Sequence, residues 1–165
     1  MSDLEHRRRV LGERARKLAD RAAKESGRAI RTQAAVVSVG SERFAFPSAA
    51  VREIVAMPKP TRLPGLPPFI LGIAHCRGEL VSVVDLARWF GVTTDGTPRF
   101  LLLLRAPAGL VGVTAEQVLG FRAVHEDELS PPDDASDRPV AAITKDLTAL
   151  IDVDRLVADD DLLVR

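Results

Sequence analysis

The chain has 165 residues, 46% of them hydrophobic, which suits one ordinary domain or two very small lobes with a buried core and excludes a largely disordered body. Formal charge balances at zero, 23 basic against 23 acidic residues, which argues against a whole-domain nucleic-acid binder. The balance is uneven along the chain: residues 1–34 hold ten Lys/Arg and five Asp/Glu, so they read as a separate, charged helical extension.

Cys76 is the only cysteine, so no internal disulfide can form and a reducing compartment is expected. The N-terminus has no apolar signal segment, and no run approaches the roughly 20 apolar residues that span a bilayer. The expectation is a cytoplasmic protein without direct membrane insertion.

Residues 3–25 read as helix. Ser2 and Glu5 have capping-box spacing, Glu5/Arg9, Glu13/Lys17 and Asp20/Lys24 are acid-before-base pairs, and Gly27 is the stop. The apolar stripe of Leu4, Leu11, Ala15, Leu18 and Ala22 is too thin for a core and suits a partner helix or one edge of the body. Ala35–Val39 and Arg43–Phe46 read as strands around Gly40-Ser41-Glu42. Pro47-Ser48 starts a short turn or helix, with Val51 and Ile54 on one face. Five prolines between Pro58 and Pro68 mark a loop or edge. Strands follow at Phe69–Ala74 and Leu80–Val84, around the polar loop His75-Cys76-Arg77-Gly78-Glu79. A short helix, Asp85–Phe90, ends at Gly91, and Thr93–Pro98 is the expected boundary between lobes. Further strands are expected at Arg99–Arg105, Leu110–Thr114 and Val118–Val124. After an acidic loop, Glu126–Arg138, comes a hairpin of Val140–Thr144 and Leu147–Val153, then a helical turn at Asp154–Val157 and an acidic tail from 158 to 165. Many short strands at regular spacing predict an all-β protein of two small barrels.

Few residues invite chemistry. His75 and Cys76 are adjacent and so point to opposite faces of an extended segment, which leaves Cys76 as a packing residue. The histidines and cysteine lack metal-ligand spacing, Asp159-Asp160-Asp161 lacks the pattern of a calcium loop, and no glycine-rich phosphate loop is present. The expectation is no enzyme, no cofactor and no metal. The basic cluster around Arg7-Arg8-Arg9 reads as a solvated helix face. Arg77 stands alone in a turn between two apolar strands, either as a solvent-facing residue or as an anchor at a protein interface.

The series VREI…P…TR-P-PPF-LG…RGE-V-VVDL…FG resembles the CheW-like adaptor domain of bacterial chemosensory systems, over roughly residues 35–157. The resemblance implies two packed five-stranded SH3-like barrels, with approximate lobes at 35–92 and 98–157. It implies a non-enzymatic adaptor joining the cytoplasmic hairpin tip of a chemoreceptor to the regulatory domain of a CheA-like histidine kinase, at membrane-associated or cytoplasmic receptor arrays. Receptor contact would fall on Val51, Ile54, Arg77, Phe100, Val118 and Phe121. The kinase-facing positions would be Glu53, Leu71 and Gly72, and Asp85 would be structural. The chain departs from the family pattern at His75, at Ala115-Glu116 and in the short hairpin around Lys145-Asp146. A variant scaffold binding one of these partners, and a nucleic-acid module using the basic helix, are the alternative readings.

Overall fold

The computed structural model describes residues 3–26, 28–107, 109–132 and 138–158, with the side chains of the first helix described from Glu5 to Ala19. The Ser2 cap, the Gly27 stop, the Asp20/Lys24 pair, the side chains of Leu4 and Ala22, and the run Asp159-Asp160-Asp161 lie outside what is described.

Among the described residues, the helix α1 (Asp3–Ser26) leads into eleven strands. These are β1 (Ile30–Val39), β2 (Glu42–Pro47), β3 (Val51–Ala56), β4 (Ile70–Cys76), β5 (Glu79–Val84), β6 (Phe100–Ala106), β7 (Gly109–Ala115), β8 (Gln117–His125), β9 (Leu129–Ser130), β10 (Val140–Thr144) and β11 (Thr148–Ile151). The short helix α2 (Leu86–Phe90) lies between β5 and β6, and α3 (Val153–Val157) follows β11. No helix among the described residues is long and apolar enough to cross a membrane.

The strands form two sheets, β8-β1-β2-β11-β10-β9 and β3-β6-β7-β5-β4. In the five-stranded sheet, Ala74, Cys76, Val81, Val83, Leu101, Leu103 and Leu110 converge from four strands, with Val55 of β3 packed against them. In the six-stranded sheet, Ala34, Val36, Ala45, Val124 and Leu150 do the same, with Leu129 of β9 packed against them. Such convergence is the interior of a small, strongly curved barrel sheet, and the two-barrel, SH3-like, all-β architecture is the expected one. One barrel has six strands rather than five, because Leu129-Ser130 adds a two-residue pair to β10.

A third apolar cluster lies between the barrels. It joins Val37, Val39, Phe44 and Phe46 of the six-stranded sheet to Leu102, Leu104, Val111 and Val113 of the five-stranded one. β6 alternates strictly: Leu101 and Leu103 enter the barrel, while Leu102 and Leu104 enter the cluster between barrels.

Two expectations about boundaries are corrected. The lobes are not the contiguous halves 35–92 and 98–157. Strands from both ends of the chain, β1–β2 and β8–β11, build one barrel, and the contiguous segment β3–β7 builds the other. The cause is parallel pairing over long sequence separation, β2 with β11 and β5 with β7. The extension also ends before residue 34, since β1 starts at Ile30. Arg28 donates to Asp127 from Nε and Nη2 at 3.0 and 2.6 Å, and Arg31 Nη1 lies 3.3 Å from Glu126. The hydrogen bond from Arg28 holds the Asp127 carboxyl below its ordinary range. These basic residues belong to the body, which a charge count along the sequence cannot distinguish.

Local chemistry explains the elements that were predicted well. Asp85 accepts from the Arg88 amide at the start of α2, and Gly91 ends the helix in the left-handed region at φ 67°. Phe69 stacks on Trp89 at 5.4 Å, and Arg88 donates to the Pro68 carbonyl at 3.1 Å, so α2 holds the end of the proline-rich loop. Upstream, Thr61 of that loop exchanges two backbone hydrogen bonds with Ile73 of β4, at 2.7 and 2.9 Å. Gly72 makes this contact possible. It has φ 143°, and a Cβ there would stand 2.1 Å from the Thr61 carbonyl oxygen.

Gly72→Ala is therefore expected to lower unfolding stability by about 3 kcal/mol or more, read from the urea midpoint. Gly65→Ala, also at positive φ but with open space around it, is expected to lose only about 1 kcal/mol.

Candidate functional site

Five of the six residues expected at the receptor surface share one face, and two β-bulges put them there. On β3, Val51 pairs with Leu104 and Ile54 with Leu102, because Arg52 is an extra residue with no opposite number on β6. On β8, Val118 pairs with Val37 and Phe121 with Ala35, because Leu119 is likewise extra. Residues three apart on a regular strand point to opposite faces; one inserted residue restores them to the same face. Leu102, Leu104 and Val37 all belong to the cluster between the barrels, so both pairs face the seam. Phe100 of β6 alternates onto that face too. Val51, Ile54, Phe100 and Val118 are half-buried against the seam, and Phe121 stands 65% exposed on the same face.

The expectation that Val51 and Ile54 sit on a turn or short helix is corrected here. The turn is confined to Ser48–Ala50, and both residues lie on β3. Helical spacing and a bulged strand produce the same three-residue repeat on one face.

Arg77 sits at the end of the β4–β5 hairpin. Cys76 pairs with Glu79, so the loop is only Arg77-Gly78, with φ 50° and 81°. Two consecutive positive φ angles mark a type I′ turn, which favours Asn-Gly and is strained for arginine. Arg77 Nε donates to Glu53 Oε2 at 3.0 Å, and Nη2 donates to Oε1. Beside it, Arg52 Nη1 donates to Glu79 Oε2 at 2.9 Å. The bulge on β3 thus sets two side chains against the hairpin. The hydrogen bond from Arg77 holds the Glu53 carboxyl below its ordinary range.

Of the kinase-facing trio, Glu53 is the partner of Arg77. Leu71 is the extra residue of a third bulge, on β4, half-buried against the interior of the five-stranded barrel. Gly72 is buried under Thr61. It shapes the bulge and permits the close approach of the Thr61 backbone. Cys76 is buried in the same barrel interior, where burial pushes its thiol up, as a packing residue requires. Among the described residues, no cluster of His, Cys, Asp and Glu could hold a metal.

Two residues that support this face were missed by sequence reasoning. Arg105 Nη1 donates to the carbonyls of Ala49 and Val51 at 2.8 and 3.3 Å, fixing the entry to β3. Glu116 is the single residue between β7 and β8. Its carboxylate accepts from the Gly40 amide and, at 2.6 Å, from the Thr94 hydroxyl, tying both neighbouring loops to the crossover. A Cβ on Gly96 would fall 1.7 Å from its Oε1. Only the departure Ala115-Glu116 signalled that this position was unusual.

The result is a half-exposed apolar seam with an ion-paired arginine beside it. Residues 33–161 match the family model of the CheW-like domain. The chain belongs to the CheW-like domain family. It is 37% identical over 97 residues to protein FrzA of Myxococcus xanthus, a match covering 57% of this chain and 60% of FrzA. It is 27% identical over 132 residues to chemotaxis protein CheW of Rhizobium meliloti, covering 74% of this chain and 85% of that protein. Its structure is similar to the crystal structure of scaffolding protein TtCheW from Thermoanaerobacter tengcongensis, with TM-score 0.70, 22% identity, and coverage of 81% of this chain and 97% of that one. The CheW-like match takes in both barrels and α3, and leaves α1 outside.

Arg77→Asn is expected to keep the hairpin, with a thermal midpoint equal to or above that of the CheW-like parent, because asparagine suits the turn. In that variant the Glu53 carboxyl, followed by NMR, is expected to titrate higher than in the parent. The sign follows from the lowered value: the pair contributes above the ordinary glutamate range and is lost as pH falls through the folded-state value.

Proposed function

We propose that this CheW-like domain is a non-enzymatic cytoplasmic adaptor of chemosensory signalling, coupling a chemoreceptor to a CheA-like histidine kinase. The observation that carries the receptor side is the shared face of Val51, Ile54, Phe100, Val118 and Phe121 on the seam between barrels. An amphipathic helix of the receptor hairpin tip lays its apolar side along that seam. Phe121 is the anchor, since it exposes the most apolar surface there. Arg77 forms the polar rim and can exchange Glu53 for a receptor carboxylate or carbonyl.

The kinase side takes the five-stranded barrel, with Glu53 and the bulged Leu71 in contact and Gly72 holding the bulge in shape. Edge strands suit a second barrel as partner, and both residues lie on edge strands, β3 and β4. Because Arg77 and Glu53 are bonded to each other, the two surfaces adjoin. Signal passes through geometry: the adaptor holds receptor and kinase together, so a change in one biases the other.

Phe121→Glu is the cleanest test, because the side chain is exposed and its loss leaves the cores intact. Affinity for a purified chemoreceptor cytoplasmic hairpin, measured by calorimetry, is expected to fall at least about tenfold, while kinase affinity is unchanged. Unchanged receptor affinity with a folded variant would refute the groove.

A further inference from the structure

The helix α1 precedes the matched residues 33–161 and supplies none of the groove residues named above. From Glu5 to Ala19 its side chains are exposed, with Val10 half-buried. Leu11 and Leu18 are the leucines of that stretch, 64% and 66% exposed. They stand seven residues apart, so they share one face. The positions three or four residues from Leu11 are Arg7, Arg8, Arg14 and Ala15, and Arg14 and Ala15 also neighbour Leu18. Neither acid of the stretch, Glu5 or Glu13, is three, four or seven residues from either leucine. The acids that form favourable pairs with Arg9 and Lys17 lie away from the stripe.

We propose that this stripe docks an acidic amphipathic helix of another protein, with leucine against leucine and carboxylates over Arg8 and Arg14. Charge selects this occupant. A second copy of α1 would set arginine against arginine along the seam, which like-charge repulsion disfavours. A membrane surface fits less well, since Asp3–Ser26 carries no aromatic residue and its apolar stripe is narrow. Most helical stability in proteins comes from tertiary packing, which the exposed stretch of α1 does not receive from its side chains. Docking therefore raises its helicity, which gives a readout separate from binding.

The test uses the full chain and synthetic helical peptides with leucine at every seventh position. One peptide has glutamate beside the leucines, one has lysine, and one has glutamate with alanine in place of leucine. Vesicles of phosphatidylglycerol and phosphatidylcholine are the fourth probe, and sedimentation reports self-association. Binding by fluorescence anisotropy and slowed amide exchange in α1 are expected for the glutamate–leucine peptide alone. Arg14→Glu is expected to weaken that binding about tenfold, and Leu11→Ala with Leu18→Ala to abolish it. Phe121→Glu, which disables the groove, should bind the peptide as the parent does. The proposal is overturned if the lysine or leucine-free peptide binds equally, if vesicles bind and the peptide does not, if the chain dimerises through α1, or if no probe slows exchange there.

Discussion

The fold depends on a layer of side chains that belongs to neither barrel. β6 shows why. Leu101, Leu102, Leu103 and Leu104 are all fully buried, two inside one barrel and two between barrels. At about 1.5–3 kcal/mol for each buried leucine, the seam contributes on the same scale as a barrel interior. The interior of the six-stranded barrel is filled largely by small residues, Ala34, Val36 and Ala45, while Phe44 and Phe46 of that sheet point into the seam. That barrel is therefore the weaker unit by itself, and its packing on β6 and β7 stabilises it.

The seam also creates the docking face. A layer between two barrels must end at a rim, where apolar side chains are covered on one side only. The bulges at Arg52 and Leu119 widen that rim by turning an additional residue onto it from each flanking edge strand. Arg105 and Glu116 then hold the chain where it crosses from one barrel to the other. Bulges serve a second purpose at strand edges, since an irregular ladder is a poor template for unwanted pairing.

Much of this was legible in the sequence. The Asp85–Gly91 helix, the β4–β5 hairpin and the β10–β11 hairpin were read from caps, turn residues and apolar runs, while the groove residues were carried over from the family resemblance. What escaped has a common cause. A bulge adds one residue and leaves no mark in composition, so Val51 and Ile54 read as helical spacing. The pairings of β2 with β11 and β5 with β7 join distant segments, and no local pattern reports them. The ion pairs of Arg28, Arg31 and Arg77 depend on acids 95 and 99, or 24, residues away. The resemblance alone put Gly72 at the kinase face, and a glycine in an apolar strand does not reveal that the Thr61 backbone lies over it.

The interleaved order of the strands bears on how the protein is made. β1 and β2 leave the ribosome before β3–β7, yet their neighbours β8 and β11 are encoded after them. Roughly 70 residues lie between Pro47 and Gln117, several seconds of synthesis at about 5–20 residues per second. Throughout that interval Ala34, Val36 and Ala45 have no barrel to close around them. The middle segment, β3 to β7, is contiguous and can fold as it emerges, presenting Leu102 and Leu104 as a surface on which the waiting hairpin can rest. The nascent chain is thus protected by its own interior half, and its first strands are the ones most in need of that shelter.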